Sequence, residues 1–214
     1  MIIAIDGPAG SGKSTTSKLV AKKLGIAHLD TGSMYRAVTA YFIDNNYSIK
    51  NADIDAIMKF IDIEISNEVV FLNGEDVTNK LRDQKVSSLV SDISSLQKVR
   101  SKMVELQRKI SLNKSIVIDG RDIGTVVFPG AEFKFFITAS IEARASRRFD
   151  ELKTLNPDIT LDGILKQIER RDHYDSTRAN SPLKKALDAI IIDTTRLSID
   201  EQVNMILETI NNKQ

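Results

Sequence analysis

With 214 residues the chain suits one domain with embellishments and is long enough to bury a substantial core. Its 42% hydrophobic and 28% charged content is ordinary for a soluble globular protein, and a formal net charge of +1 argues against a general polyanion-binding surface, so any basic groups that matter must form local clusters. There is no cysteine, which excludes disulfides and thiolate metal sites, and His28 and His173 alone do not suit a multi-histidine zinc site.

The chain starts on the apolar run Ile2-Ile-Ala-Ile5, followed at once by Gly7-Pro8-Ala9-Gly10-Ser11-Gly12-Lys13-Ser14-Thr15 and an amphipathic stretch. This G-x-x-x-x-G-K-S spacing between a predicted strand and a predicted helix is a phosphate-binding loop. Glycines let the backbone turn tightly and bring several N–H groups to a polyphosphate. Lys13 adds a point charge at the β and γ phosphates, Ser14 is placed to ligate Mg²⁺, and the helix N-terminus attracts the same anion. A bare glycine turn with a solvated Lys13 fits that context poorly.

Further along, short apolar strands are predicted at 2–5, 27–29, 115–118, 133–138 and 189–192. Helices are predicted at 13–24, 33–45, 98–112, 141–153, 161–174 and 199–211, with Gly25 as a stop and Ser198 as an N-cap. That alternation implies an α/β fold, a five-stranded parallel sheet with flanking helices. Residues 62–78 break it: period-2 patches separated by Ser66-Asn67 and Asn73-Gly74 predict a small antiparallel sheet, and a weaker helical region follows at about 79–95. Residues 30–100 therefore read as an excursion from the core that covers the site. No leader or bilayer-spanning run is visible, so a cytoplasmic location with access to nucleoside triphosphates is expected.

Three further clusters carry chemistry. Asp30-Thr31-Gly32-Ser33-Met34-Tyr35-Arg36 follows the second strand, at the edge where open parallel sheets bind ligands. Asp30 could hold Mg²⁺ through water or orient a hydroxyl, and Arg36 could grip a second phosphate; equally, Asp30 or Thr31 could cap the helix at Ser33. The run Ile116-Val-Ile-Asp119-Gly120-Arg121-Asp122 ends a buried strand in a carboxylate suited to facing magnesium, with an arginine able to fork onto a phosphate. Its plain alternative is a Gly-Arg-Asp turn with an internal ion pair. The last cluster is basic: Arg144, Arg147 and Arg148 share a helical face, ahead of Arg170, Arg171, Asp172, Asp175 and Arg178. Such a face is usually solvated, but in a phosphoryl-transfer enzyme a mobile lid bearing arginines, Arg147 among them, neutralises ATP and excludes water. His28 reads as a strand residue packed near the site.

Together these segments resemble the bacterial cytidylate kinases, within the nucleoside monophosphate kinases. The resemblance rests on Ile5 to Ser14, Leu29 to Arg36, Asp119-Gly120-Arg121-Asp122 through Phe128-Pro129, and Arg171-Asp172-His-Tyr-Asp175-Ser-Thr-Arg178, in the family's order over nearly the whole chain. It implies ATP-dependent phosphorylation of CMP or dCMP with Mg²⁺. It also implies a core (1–30, 96–150 and 180–214), a monophosphate-binding domain (31–95) holding the insert at about 62–78, and a lid (151–179). By position it implies Thr31, Arg36, Ser91, Arg100, Arg121, Asp122, Arg171, Asp175 and Arg178 for CMP. Arg36, Arg121 and Arg178 would be phosphate or transition-state contacts, Ser91, Arg100 and Asp122 would read cytosine, and Asp175 would meet the sugar hydroxyls. Tyr174 stands where the family often has a basic residue. The expected partners are small nucleotides, with no nucleic acid, membrane or obligatory protein partner, and a monomer is favoured. A kinase for another small acceptor, such as shikimate, or a nucleotide-dependent switch are the alternatives.

Overall fold

The computed structural model describes residues 1–66, 68–154 and 157–212. Position 67 of the expected turn, lid positions 155 and 156, and the last two core positions lie outside them. Two compact units result, one of residues 1–28 and 114–214 and one of residues 29–113.

The first unit is built on a parallel sheet of five strands, to whose edge the chain's second strand contributes. The strands are β1 (Ile2–Asp6), β2 (Ala27–Asp30), β6 (Ile116–Gly120), β7 (Phe133–Thr138) and β8 (Ile190–Asp193), in the spatial order β2-β6-β1-β7-β8. Central β1 pairs with β6 from Ile2↔Ile116 to Asp6↔Gly120 and on its other side with β7. The chain leaves β1 toward β2 but leaves β6 toward β7, so connections diverge from the carboxyl ends of β1 and β6, the place where such sheets open a crevice for ligands. Ile3, Ile5, Val117, Phe135, Ile137 and Ile192 bury one face against Val20 and Ala21 of α1 (Lys13–Leu24) and Val203, Ile206 and Ile210 of α8 (Ile199–Asn211). Helix α8 starts on a reciprocal Ser198/Glu201 capping box, and α1 stops at Gly25 in the left-handed region (φ 65°), both where the sequence places them.

Also in this unit, α6 (Ile141–Leu152) and α7 (Leu161–Thr177) pack as a helical hairpin with a small core of its own, Ala145, Ile164 and Ile168 flanked by Ile141, Phe149 and Leu165. Helix α7 runs three residues beyond the predicted end at Tyr174, because Asp175 is held by arginines from within the fold.

The second unit carries α2 (Thr31–Asp44), α3 (Ile54–Lys59), α4 (Gln84–Ser95) and α5 (Gln97–Ser111). It also holds a three-stranded antiparallel sheet of β3 (Ile63–Ser66), β4 (Val69–Leu72) and β5 (Glu75–Asp76). Asn73 (φ 52°) and Gly74 (φ 84°) make the tight turn that their sequence announces. The expected helix at 79–95 is broken in two: a 3₁₀ turn at Thr78–Arg82 ends at extended Asp83 (ψ 143°), whose carboxylate accepts from Lys85 N and caps α4.

Candidate active site

The loop after β1 is held by bonds from four directions. Gly7 approaches so closely that a Cβ there would lie 2.0 Å from the Ile137 carbonyl oxygen. The Ser11 hydroxyl donates to Pro8 O (3.0 Å), and Thr194 Oγ1 donates to Ser11 O (2.9 Å). Thr16, one turn into α1, donates to Gln202 Oε1 on α8 (2.7 Å). Arg144 donates through Nη1 to Ala9 O (3.1 Å) and through Nε to Ala139 O (3.0 Å). Helix α1 itself opens on Gly12 with no side-chain cap and no acidic residue in its first turn, so its N-terminal dipole is not offset from within the helix. Lys13 and Ser14 stand at this end.

Asp119 is buried at the end of β6. Ser14 Oγ donates to its Oδ2 (2.6 Å), and His28 Nε2 lies 2.8 Å from its Oδ1. Burial works to raise its pKa, but the His28 hydrogen bond, the Lys13 charge and the Ser14 bond together hold it below the usual carboxylate range. The structure thus brings Ser14 and Asp119 within one hydrogen bond, and His28, read from the sequence only as a packed strand residue, lies against that carboxylate.

One residue pair further on, Arg121 does not close an ion pair inside its own turn. Its Nε donates to Asp175 Oδ2 on α7 (2.9 Å), and Asp175 is also approached by Arg178 Nη1 (3.7 Å) and Arg171 Nε (4.0 Å). Arg178 Nη2 lies 3.9 Å from Asp122 Oδ1, and its Nε donates to Ser181 O. Burial pushes Asp175 upward, yet Arg121 first and then Arg171 and Arg178 outweigh it and keep the carboxyl below its ordinary value. Five of the residues expected at the acceptor, Arg121, Asp122, Arg171, Asp175 and Arg178, therefore form one charged cluster.

The arginines of α6 separate into different environments. Arg144 is buried and, besides bracing the loop at Ala9, pairs with Asp172 of α7 at 2.6 Å. Arg147 donates to the hydroxyl and carbonyl oxygens of Thr194 (3.2 and 2.5 Å), beside Gly12 of the loop. Arg148 makes an exposed pair with Glu151. Periodicity correctly places the three on one helix, but burial, which periodicity does not report, gives each a different partner.

In the second unit, Asp30 caps α2: its Oδ1 accepts from Gly32 N (2.8 Å) and its carbonyl accepts from Ser33 Oγ (2.6 Å). Thr31 opens that helix, buried. Arg36 folds back over Gly32, where a methyl group would lie 3.3 Å from its Nη1 and 2.9 Å from Asp30 Oδ1. Buried Arg100 lies over the Tyr35 ring (5.4 Å) and donates to Ser94 O (3.1 Å), while Ser91, one turn earlier on α4, accepts from Ser94 Oγ. Asp6, Thr194 and Gln202 were not anticipated. Asp6 alone had a readable signal, as an acid directly before the loop glycine.

The family model for cytidylate kinase matches residues 3–212. Among curated proteins, the cytidylate kinase of Fusobacterium nucleatum is 47% identical over 98% of this chain and 97% of its own length. That of Carboxydothermus hydrogenoformans is 48% identical over 100% and 98%, and that of Clostridioides difficile 43% over 99% and 98%. Among solved structures, the shikimate kinase of Acinetobacter baumannii in complex with shikimate aligns over 100% of this chain and 94% of that one, at a TM-score of 0.52 and 15% identity. An uncharacterized protein from Eubacterium ventriosum aligns over 99% and 98%, at 0.58 and 15%. At such identity these structures share the fold alone. No described helix is long and apolar enough to cross a membrane.

Proposed function

The chain belongs to the cytidylate kinase family, and on that premise we propose how its residues divide the work. It is an ATP-dependent phosphotransferase that moves the γ-phosphate of ATP to CMP or dCMP, giving ADP and CDP or dCDP. The observation that carries the residue assignment is the cluster of Arg121, Arg171 and Arg178 around Asp175 and Asp122, at the same sheet edge as the phosphate loop.

Residues 7–15 bind the triphosphate, with Lys13 at its β and γ phosphates and Arg147 at the loop's flank. Ser14 and Asp119 fit Mg²⁺: both are hard oxygen donors, held side by side by a 2.6 Å hydrogen bond. When bound, the ion supplies charge neutralisation between the β and γ phosphates. Thr31, Arg36, Ser91, Arg100, Arg121, Asp122, Arg171, Asp175 and Arg178 are the residues assigned to CMP. An oxygen of its α-phosphate attacks the γ-phosphorus in line, forming one P–O bond as the bond to ADP breaks. That nucleophile is already an anion at neutral pH, so no protein base or covalent intermediate is needed, and Lys13, Arg121 and Arg178 act by position and charge. Asp30, engaged as a cap, orients the opening of α2 and through it Thr31 and Arg36. Residues 151–179 act as the lid over a three-part chain, and the protein works in the cytoplasm as a monomer on small nucleotides.

The test is ATP turnover with a panel of acceptors. CMP and dCMP should exceed UMP, AMP and shikimate in kcat/KM by about 10-fold or more. Equal or better turnover of AMP or shikimate would overturn the acceptor assignment.

A further inference from the structure

Asp6 takes no part in the reaction just described, yet it is a buried carboxylate only 4% exposed, on the last residue of the central strand. Its Oδ1 accepts from Ile123 N and its Oδ2 from Gly124 N, both at 2.8 Å, across 117 and 118 residues of sequence. These amides open the π-type turn Ile123–Val127, whose later amides, at Val126 and Val127, bond back to the Asp122 carbonyl. The first N–H groups of any helical turn lack partners within it, and a carboxylate is the strongest neutral-pH acceptor for them. Ordinarily the residue at the start of the turn supplies that cap. Here that residue is Asp122, and its side chain makes no cap bond.

We infer that Asp6 is a positioning residue for the acceptor, a cap supplied from the neighbouring strand so that Asp122 does not cap its own turn and keeps its carboxylate for the nucleotide. This rests on the reading that Asp122 meets CMP. Three observations support it. The β1/β6 register sets Asp6 against Gly120, so the chain beyond Gly120 bends back over the Asp6 side chain. Gly124 allows the close approach: a methyl group there would lie 3.4 Å from Asp6 Oδ2 and 3.3 Å from Lys134 Cδ. Burial pushes the Asp6 carboxyl up to about 6 in spite of the two amide bonds, so the fold keeps an ionisable group where an apolar one would be easier to bury. Asp6-Gly7 and Gly120-Arg-Asp-Ile-Gly124 are thus two halves of one device, which ties the donor loop's strand to the turn that presents Arg121 and Asp122.

Asp6→Asn removes the charge and leaves one carbonyl for two amides, so Asp122 should swing in to cap its own turn. With folding checked by circular dichroism, KM for CMP should rise about 10- to 100-fold, while the equilibrium Kd for ADP changes by no more than about twofold. In an Asp122→Ala background the Asp6→Asn effect on CMP should shrink to about twofold or less. Equal losses for CMP and ADP, an unchanged KM, or an Asp6→Asn effect of the same size in both backgrounds would reduce Asp6 to a purely structural cap. If Asp122→Ala alone leaves KM for CMP unchanged, the reading of Asp122 fails; if it raises KM while folded Asp6→Asn does not, the inference alone fails. Should Asp6→Asn not fold, amide exchange in the wild-type protein decides: Ile123 and Gly124 N–H must be protected with and without CMP, and exchange at open-loop rates overturns the cap.

Discussion

Two strand ends in this chain look alike in sequence and are used in opposite ways. At the end of β2, Asp30 precedes a helix and caps it with its own carboxylate at Gly32 N. After β6, Asp122 also precedes a helical turn, but the amides it would cap are taken by Asp6, and its carboxylate lies toward Arg178 instead. Both are aspartates at the cap position of the helical turn that follows, so residue type does not separate the two. What separates them is whether a third residue, distant in sequence, satisfies the N–H groups at the start of the turn. A carboxylate whose turn is capped by another residue is directed elsewhere, here toward Arg178; one that caps contributes by fixing the helix behind it.

The heaviest blow to this contrast comes from Arg121→Ala. It removes a phosphate contact and the first of the charges that lower Asp175, so kcat should fall about 10³-fold while the acid titration of Asp175 moves upward. A carboxyl held below its ordinary 3.8 contributes stability that is present above that pH and lost as pH falls through the lower, folded value. In the variant the folded value moves back toward 3.8, so less stability should be lost on acidification, which an acid-unfolding series followed by carboxyl NMR would read. Unchanged kcat and an unchanged acid limb would make Gly120-Arg-Asp122 an ordinary turn.

A smaller effect should come from Asp6, through pH. Its folded value, raised from 3.8 to about 6, means that the folded state binds the proton more tightly than the unfolded chain. The wild type therefore loses stability as pH rises from about 4 to about 6, and the loss is complete above the folded value; the rise corresponds to about 3 kcal/mol. Asp6→Asn cannot ionise. The stability difference between variant and wild type, from urea unfolding at pH 4 and pH 7, should move by about that amount in the variant's favour at pH 7. A pH-independent difference would mean that Asp6 is already ionised at low cost.

The donor loop was legible because its requirements are local: Gly7, Gly12, Lys13 and Ser14 sit in one short run, and the helix spans Lys13–Leu24 as the sequence places it. The parallel sheet was legible for a related reason, its buried strands being short apolar runs. Elements whose cause lies elsewhere in the chain were not. Ile123-Gly-Thr-Val-Val127, rich in β-branched residues, carries no predicted element, yet it winds into a turn that Asp6 caps from β1. Helix α3 was missed although Asp53 caps it by accepting from Ala56 N, since six residues are too few for periodicity to register. The partners of Arg144 were equally hidden, because the Ala9 carbonyl carries no side-chain signature.

The mildest test is at Asp30, and it isolates the cap. Asp30→Ala leaves the Gly32 amide without its acceptor, so urea unfolding should show a loss of about 1 kcal/mol, while Asp30→Asn, which keeps a side-chain oxygen and can still cap, should lose a few tenths at most. Asp122→Ala removes no cap bond and should therefore cost less stability than Asp30→Ala, despite the greater burial of its site. The order of the two alanine variants carries the argument, because burial alone would rank them the other way. If Asp122→Ala proves the more destabilising, Asp122 is holding its own turn after all, and the division of labour between Asp6 and Asp122 collapses.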